Sequence, residues 1–374
     1  MIKSFFCSKQ WALWAWGGLF LLCATIVLEV RVLVWINGWY REVWDFLQTP
    51  DPDIAAAVMS ADTVWDDELT AKVQQALDKF WGLIGEFCII VFPFVVLLAF
   101  SSFFTKHYAF RWRQAITFAY FPLWKNIGKD IEGASQRLQQ DPERFARIVE
   151  HLGLGVFRSV LTLIAFVPIL WSVSEEIMEK FQSAAGLQNA PFSLPFFEWT
   201  ATTPASLMMV AIGLAIGGTG LSFLIGAKLP NLEYNNQRVE ARFRKRLVYS
   251  EDDKIFADVP SLVELFTGLR FNYFRLYLHY SYFALWAALF AQFIVITDLV
   301  LIGSGVVLGI ITFGFLQQIF HAFGKVTDSL TYFVDNWTTV TELMSIVKRL
   351  REFERNIGYT GKPPENAEPV QTIR

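Results

Sequence analysis

No G-x-x-x-x-G-K-[ST] loop occurs in the sequence, which excludes the glycine-rich backbone cradle that holds nucleotide phosphates in ATP-driven machines. H-E-x-x-H and G-x-S-x-G are missing as well, so neither a zinc hydrolase nor a nucleophile-elbow hydrolase is indicated. The chain reads as a non-enzyme that needs no cofactor. Cysteine is scarce: Cys7, Cys23 and Cys88 have no metal or disulfide spacing and read as small packing residues. Charge is scarce too. Charged residues make up 18% of the chain, against about a quarter in soluble domains. The net charge of −3 says little, because the charges are sorted by location, and nucleic acid is not an expected partner.

Apolar residues fill the gap. Hydrophobic side chains account for 54% and aromatics for 16%, with 36 Phe and 14 Trp. They are concentrated in six runs, near 11–36, 79–104, 152–174, 204–227, 281–302 and 306–324. Runs of about 20 residues are long enough to cross a hydrocarbon core roughly 30 Å thick. The first run is too long for a signal peptide and has no small-residue cleavage site, so it reads as a retained span after a short N-terminus at 1–10. Gly303-Ser304-Gly305 separates the last two runs and predicts a tight hairpin there. The fold class expected is an all-α membrane protein with six transmembrane helices.

The connecting segments alternate in charge. Segment 40–78 has two basic residues, Arg41 and Lys72, and segment 175–203 has only Lys180; segments 106–150 and 228–280 have eight and nine. The tail from Lys325 onward has seven. The positive-inside rule then places both termini and the two long basic segments in the cytoplasm. Those segments read as helices that extend the spans. Asp141-Pro142 is expected to stop one helix and start the next, with Asp as the cap and Pro in the first turn. Leu232 to Tyr249 contains no Gly or Pro. Beyond the last run, Trp337, Leu343, Val347 and Leu350 form an apolar stripe at helical spacing. The transporter domain is thus expected over 11–355, followed by a disordered tail at 356–374 containing Pro363-Pro364.

Acids recur at helical spacing. Glu233 and Glu240 differ by about 20° around a helix, and Glu251 comes 18 residues after Glu233, which is five turns, so the three would form a row about 27 Å long. Arg244 lies one turn past Glu240 and could pair with it. Glu132, Glu143 and Glu150 repeat the pattern less securely across Pro142. Such rows are either solvated helix faces paired with bases, or carboxylates lining a wet cavity that attract cations or hold protons. Glu29 and Glu86, inside apolar runs, are further cavity candidates, as is Arg244, and Arg31 is expected to snorkel outward. His107, His151, His279 and His321 read as interfacial polar groups.

Several strings resemble one bacterial family. Phe104-Thr105-Lys106-His107-Tyr108-Ala109-Phe110-Arg111-Trp112-Arg113 is one. Ile131-Glu132-Gly133-Ala134-Ser135-Gln136-Arg137 and Thr162-Leu163-Ile164-Ala165-Phe166-Val167-Pro168 are others. The longest begins Lys228-Leu229-Pro230-Asn231-Leu232-Glu233-Tyr234-Asn235-Asn236-Gln237-Arg238-Val239-Glu240-Ala241 and resumes at Leu247-Val248-Tyr249-Ser250-Glu251-Asp252-Asp253. They are similar to the SbmA/BacA peptide-transporter family from about Trp11 to Phe353. The resemblance implies a homodimer in the bacterial inner membrane. Its fold would be like the membrane domain of type IV ATP-binding-cassette exporters, with long cytoplasmic extensions and no nucleotide-binding domain. It implies proton-driven import of peptides and peptide antibiotics, expected to be cationic, from periplasm to cytoplasm. The family's cavity glutamates carry over to Glu132, Glu150, Glu233, Glu240 and Glu251. Better-known members have an extra N-terminal transmembrane helix, whereas here Met1–Gln10 leads straight into the first core span. The alternative is the membrane subunit of a cassette transporter powered by a separate ATPase chain, docking around Asp141–Phe145 or Tyr249–Asp253.

Overall fold

The computed structural model describes residues 1–60, 65–127, 131, 134–184 and 197–359, and among them there is no β-strand. The helices are α1 (Ile2–Phe6), α2 (Gly18–Gln48), α3 (Pro52–Met59), α4 (Asp67–Lys125), α5 (Ala134–Ser183), α6 (Phe197–Thr202), α7 (Ser206–Gly226), α8 (Leu229–Asp252), α9 (Val259–Val307), α10 (Phe313–Asp335) and α11 (Trp337–Asn356). A π-helical turn, Leu13–Gly17, leads into α2. The tail expected to be disordered lies almost wholly outside the described residues.

Five helices are long and apolar enough to cross a membrane: Leu13–Gln48, Asp67–Lys125, Ala134–Ser183, Ser206–Glu251 and Val259–Val307. The sixth expected span is not among them. Its place is taken by α10, whose apolar face alternates with Gln318, His321, Lys325, Asp328 and Asp335. The 59, 50 and 49 residues of α4, α5 and α9 correspond to lengths of about 74–88 Å at 1.5 Å per residue, far beyond a bilayer core. Each therefore has a membrane-length portion and a stalk. The end where α4 meets α5 and α8 meets α9 is the stalk end; the opposite end is the loop end.

Two sequence expectations fail for identifiable reasons. First, α5 does not restart at Asp141-Pro142 but runs straight through. Proline has no N–H to give to the carbonyl four residues earlier, and that carbonyl, of Leu138, instead accepts from the Thr117 hydroxyl of α4 at 3.2 Å. Asp141 does not cap a helix. It is buried and held by Arg349 of α11 at 2.9 Å and by Arg137 at 3.1 Å. Second, α9 continues through Gly303-Ser304-Gly305, and the turn falls at 308–312, where Gly309 takes the left-handed φ of 71°. Gly305 serves packing: a Cβ there would come within 2.7 Å of Ile311 and Phe181.

Two apolar clusters hold the bundle. At the stalk end, Phe5, Trp11, Tyr108, Trp112, Phe145, Leu350 and Phe353 join the N-terminal segment to α4, α5 and α11. Towards the loop end, Phe166, Leu170, Phe181, Leu207, Phe315 and Phe323 join α5, α7 and α10. Helix α10 packs on α2, α5 and α7, whereas α8 packs mainly along α9 as an antiparallel arm. The stalk half of α9 leaves Phe271, Phe274 and Tyr277 at least 60% exposed.

Candidate functional site

Where α2, α4, α5 and α10 meet, their side chains enclose a cavity of about 460 Å³. Its walls carry Glu29 from α2, Ser101 from α4, Glu150 and Arg158 from α5, and Lys325 and Asp328 from α10. Each helix turns a polar residue to the same side because α10 places Gln318, His321, Lys325, Asp328, Tyr332 and Asp335 at alternating intervals of three and four residues, which is one helical face.

Glu29 is buried and pairs with Arg158 at 2.7 Å, while Arg158 keeps half its surface open. Glu150 is 93% buried and accepts no hydrogen bond among the described residues. It lies two residues before the apolar run that begins at Leu152. Taking a carboxylate from water without a compensating bond disfavours its charged form, and burial raises the Glu150 carboxyl to about 7. Tyr332 stands beside both Glu150 and Arg158, and its hydroxyl donates to the His151 carbonyl at 3.3 Å. The cavity thus holds one fixed ion pair and one carboxyl poised between its two protonation states near neutral pH.

The other expected site residues do not converge on this cavity. Glu132 lies outside the described residues. Glu233, Glu240 and Glu251 share the unbroken helix α8, so the expected row exists as a row on one helix. Glu233 is half-buried, hydrogen-bonded to Tyr280 and to Gln237 at 3.4 Å. Glu240 is half-buried and Glu251 exposed near the tip of the arm. Arg244 is exposed and makes no ion pair with Glu240 among the described residues. Glu86 is exposed on α4, and Arg31 is exposed on α2. Of the expected carboxylates, only Glu29 and Glu150 come together. Arg158, Lys325 and Asp328 escaped the sequence reading, although the three-and-four spacing on α10 was a visible signal.

At the loop end a second polar group ties the same helices. Arg41 of α2 grips Glu176 of α5 with two bonds, 2.9 and 2.6 Å, and donates to Gln318 of α10 at 3.3 Å. Asp45 accepts from the Gly314 amide at the start of α10, 2.9 Å. His321, expected at an interface, sits instead inside the bundle against Asn37, Tyr40 and Phe166. Of the two stretches expected to dock a separate ATPase, Asp141 and Phe145 are buried with Arg144 exposed between them, and Tyr249, Glu251 and Asp253 are exposed.

A sequence model of the SbmA/BacA-like family matches residues 8–358. Among curated proteins, the inner membrane ABC transporter ATP-binding protein YddA of Escherichia coli (strain K12) is 23% identical, over 94% of this chain and 59% of its own length. An uncharacterized ABC transporter ATP-binding protein of Synechocystis is 22% identical, over 81% of this chain and 44% of its own. One from Haemophilus influenzae is 21% identical, over 63% of this chain and 35% of its own. The chain spans about half the length of the curated relatives it matches.

Proposed function

The chain belongs to the SbmA/BacA-like family, and from that premise we propose that this membrane transporter imports peptides from periplasm to cytoplasm, driven by the proton gradient. The observation that carries the proposal is Glu150, a buried carboxyl with no hydrogen-bond partner among the described residues, raised by burial to about 7 on a polar cavity inside the helical bundle. A group of this kind takes a proton from an acidic outside and gives it up to a neutral inside. Protonation removes one negative charge from a wall that already holds Glu29 and Asp328, and shifts the balance between outward-open and inward-open arrangements.

A second copy completes the transporter in this reading. The α8–α9 arm leaves Phe271, Phe274 and Tyr277 open along its stalk half, ahead of the apolar run that begins near 281. An identical chain laid against that face would cover them and turn the α8 glutamates towards a shared vestibule, which would concentrate cationic peptides. Both termini then lie in the cytoplasm of an inner-membrane protein.

The relatives are ABC transporter ATP-binding proteins, which gives a second reading, the membrane half of a cassette transporter whose ATPase lies elsewhere. Proteoliposomes separate the two. Uptake of a cationic peptide under an imposed pH gradient without ATP supports proton coupling. Uptake that ignores the gradient and requires an added ATPase and ATP assigns the engine to nucleotide hydrolysis.

A further inference from the structure

Polar residues recur along α10 from the loop-end cluster to the cavity. Arg41 binds Gln318 through its side chain, and Asn37 of α2, which is 99% buried, donates to the Gln318 carbonyl at 2.8 Å. The same Asn37 amide nitrogen lies 3.2 Å from Nδ1 of His321. One turn further on, Lys325 already lines the cavity beside Glu150 and Asp328. Asn37, Arg41 and Asp45 repeat at four residues on α2 as Gln318, His321 and Lys325 do at three and four on α10, so each helix presents a polar edge to the other. The link with no part in the proposed mechanism so far is His321.

We propose that His321 is the mid-bundle proton relay of this transporter, passing protons from the loop-end cluster of Arg41, Glu176 and Gln318 to the carboxyls of the cavity. The inference rests on the proton-coupled reading above. Asn37 fixes the resting state of the ring. Its NH₂ already donates to the Gln318 carbonyl, so the contact with Nδ1 is a donation too. Nδ1 is therefore the bare acceptor and Nε2 carries the hydrogen. A proton arriving from the loop end forms an N–H bond at Nδ1. Asn37 must then turn its amide to offer Oδ1, giving up the Gln318 carbonyl. The imidazolium turns about its Cβ–Cγ bond, breaks the new Nδ1–H bond and releases that proton towards the carboxylates of the cavity. One proton enters and one leaves, Nε2 keeps its hydrogen throughout, and the neutral ring turns back to its first position.

The ring packs edge-on against Tyr40 of α2 and Phe166 of α5, with centroids at 5.4 and 5.8 Å. Lys325 is the nearest charge on its own helix, and Arg41 reaches it only through Gln318. Glu29, Glu150 and Arg158 lie beyond Lys325 on the cavity wall. Helix α7 has no titratable side chain between Ser206 and Gly226. From α9, whose end is joined to α10 by the turn at 308–312, the acid at about the same depth is the buried Asp298. Helix α11 starts only at Trp337, four turns past the ring.

The test uses the reconstituted full chain, a cationic peptide and a pH dye trapped in the vesicles. The unsubstituted protein is expected to acidify the lumen as peptide enters. His321→Gln keeps the size and a hydrogen-bonding amide but cannot carry the proton, and should lower that flux about tenfold or more. A smaller fall in His321→Gln overturns the relay alone. A flat trace in the unsubstituted protein overturns the coupling and the relay with it. If His321→Gln yields no folded protein, Asn37→Ala decides. It removes the donor that favours a bare Nδ1, and the pH midpoint of uptake should rise by about half a unit or more. An unmoved midpoint reduces His321 to a packing residue and overturns the proposal.

Discussion

Tyr332 lies directly over Gly155, so closely that a Cβ at that glycine would overlap the phenol oxygen. Gly155 thereby lets α10 approach α5 at the floor of the cavity, where Tyr332 also reaches the His151 carbonyl. Gly155→Ala should destabilise the protein by about 1–3 kcal/mol through overpacking, seen as a lower Tm in detergent. The double variant Gly155→Ala, Tyr332→Ala should cost less than the sum of its parts, since the clash is gone. Strict additivity would place the two residues apart.

Asp141 is the second test of packing. It is 99% buried between Arg349 and Arg137, which keep about a quarter of their surface. Asp141→Ala leaves two cations facing an apolar cluster without their counter-ion. The expected loss is about 3 kcal/mol or more, with α11 the first element to open. Hydrogen exchange should show faster exchange in 337–356 than in α7.

Much of the fold is legible in the residues, and the misses have physical causes. The apolar runs place α4, α5, α7 and α9 because a lipid-facing helix needs little but length and hydropathy. The tight turn between the last two runs was misplaced because Gly303 and Gly305 look like turn residues, while the chain uses Gly305 to admit Phe181 and Gly309 to reverse. The break at Pro142 was misplaced because the substitute donor, Thr117, sits 21 residues away on another helix. At the site, Glu29 and Glu150 stand out as acids in or beside apolar runs. Arg158, Lys325 and Asp328 gain meaning only once α2, α5 and α10 are packed together, which is long-range information. The polar three-and-four stripe of α10 lowers its hydropathy, so the run expected as the sixth span is not among the five helices long and apolar enough to cross a membrane.

The pair Glu29–Arg158 is asymmetric. Glu29 is buried while Arg158 is about half exposed. Arg158→Ala therefore strands a buried carboxylate, at a cost of about 1–3 kcal/mol. Glu29→Gln leaves a guanidinium that water can still reach, and should cost less. Paired thermal melts of the two variants check the order. An equal loss in both would mean that Arg158 is less hydrated than its exposure implies.

Glu150 gives the pH dependence its sign. Burial raises its carboxyl from the ordinary 4.5 to about 7. A group whose folded value lies above its unfolded value favours the fold when protonated. Its contribution is full below about 4.5 and is lost as pH climbs through about 7. Stability should therefore fall between pH 5 and pH 8, and Glu150→Gln should flatten that slope. The same substitution fixes the cavity in its protonated charge state, so gradient-driven uptake should drop about tenfold or more while peptide binding at low pH persists. Thermal melts at the two pH values and proteoliposome uptake measure both effects. A slope unchanged in Glu150→Gln would transfer the titration to another carboxyl of the cavity, with Asp328 next in line. The order of events then changes: protonation would occur on α10, the helix of His321 and Lys325, and α5 would contribute only Arg158, the fixed partner of Glu29 on α2.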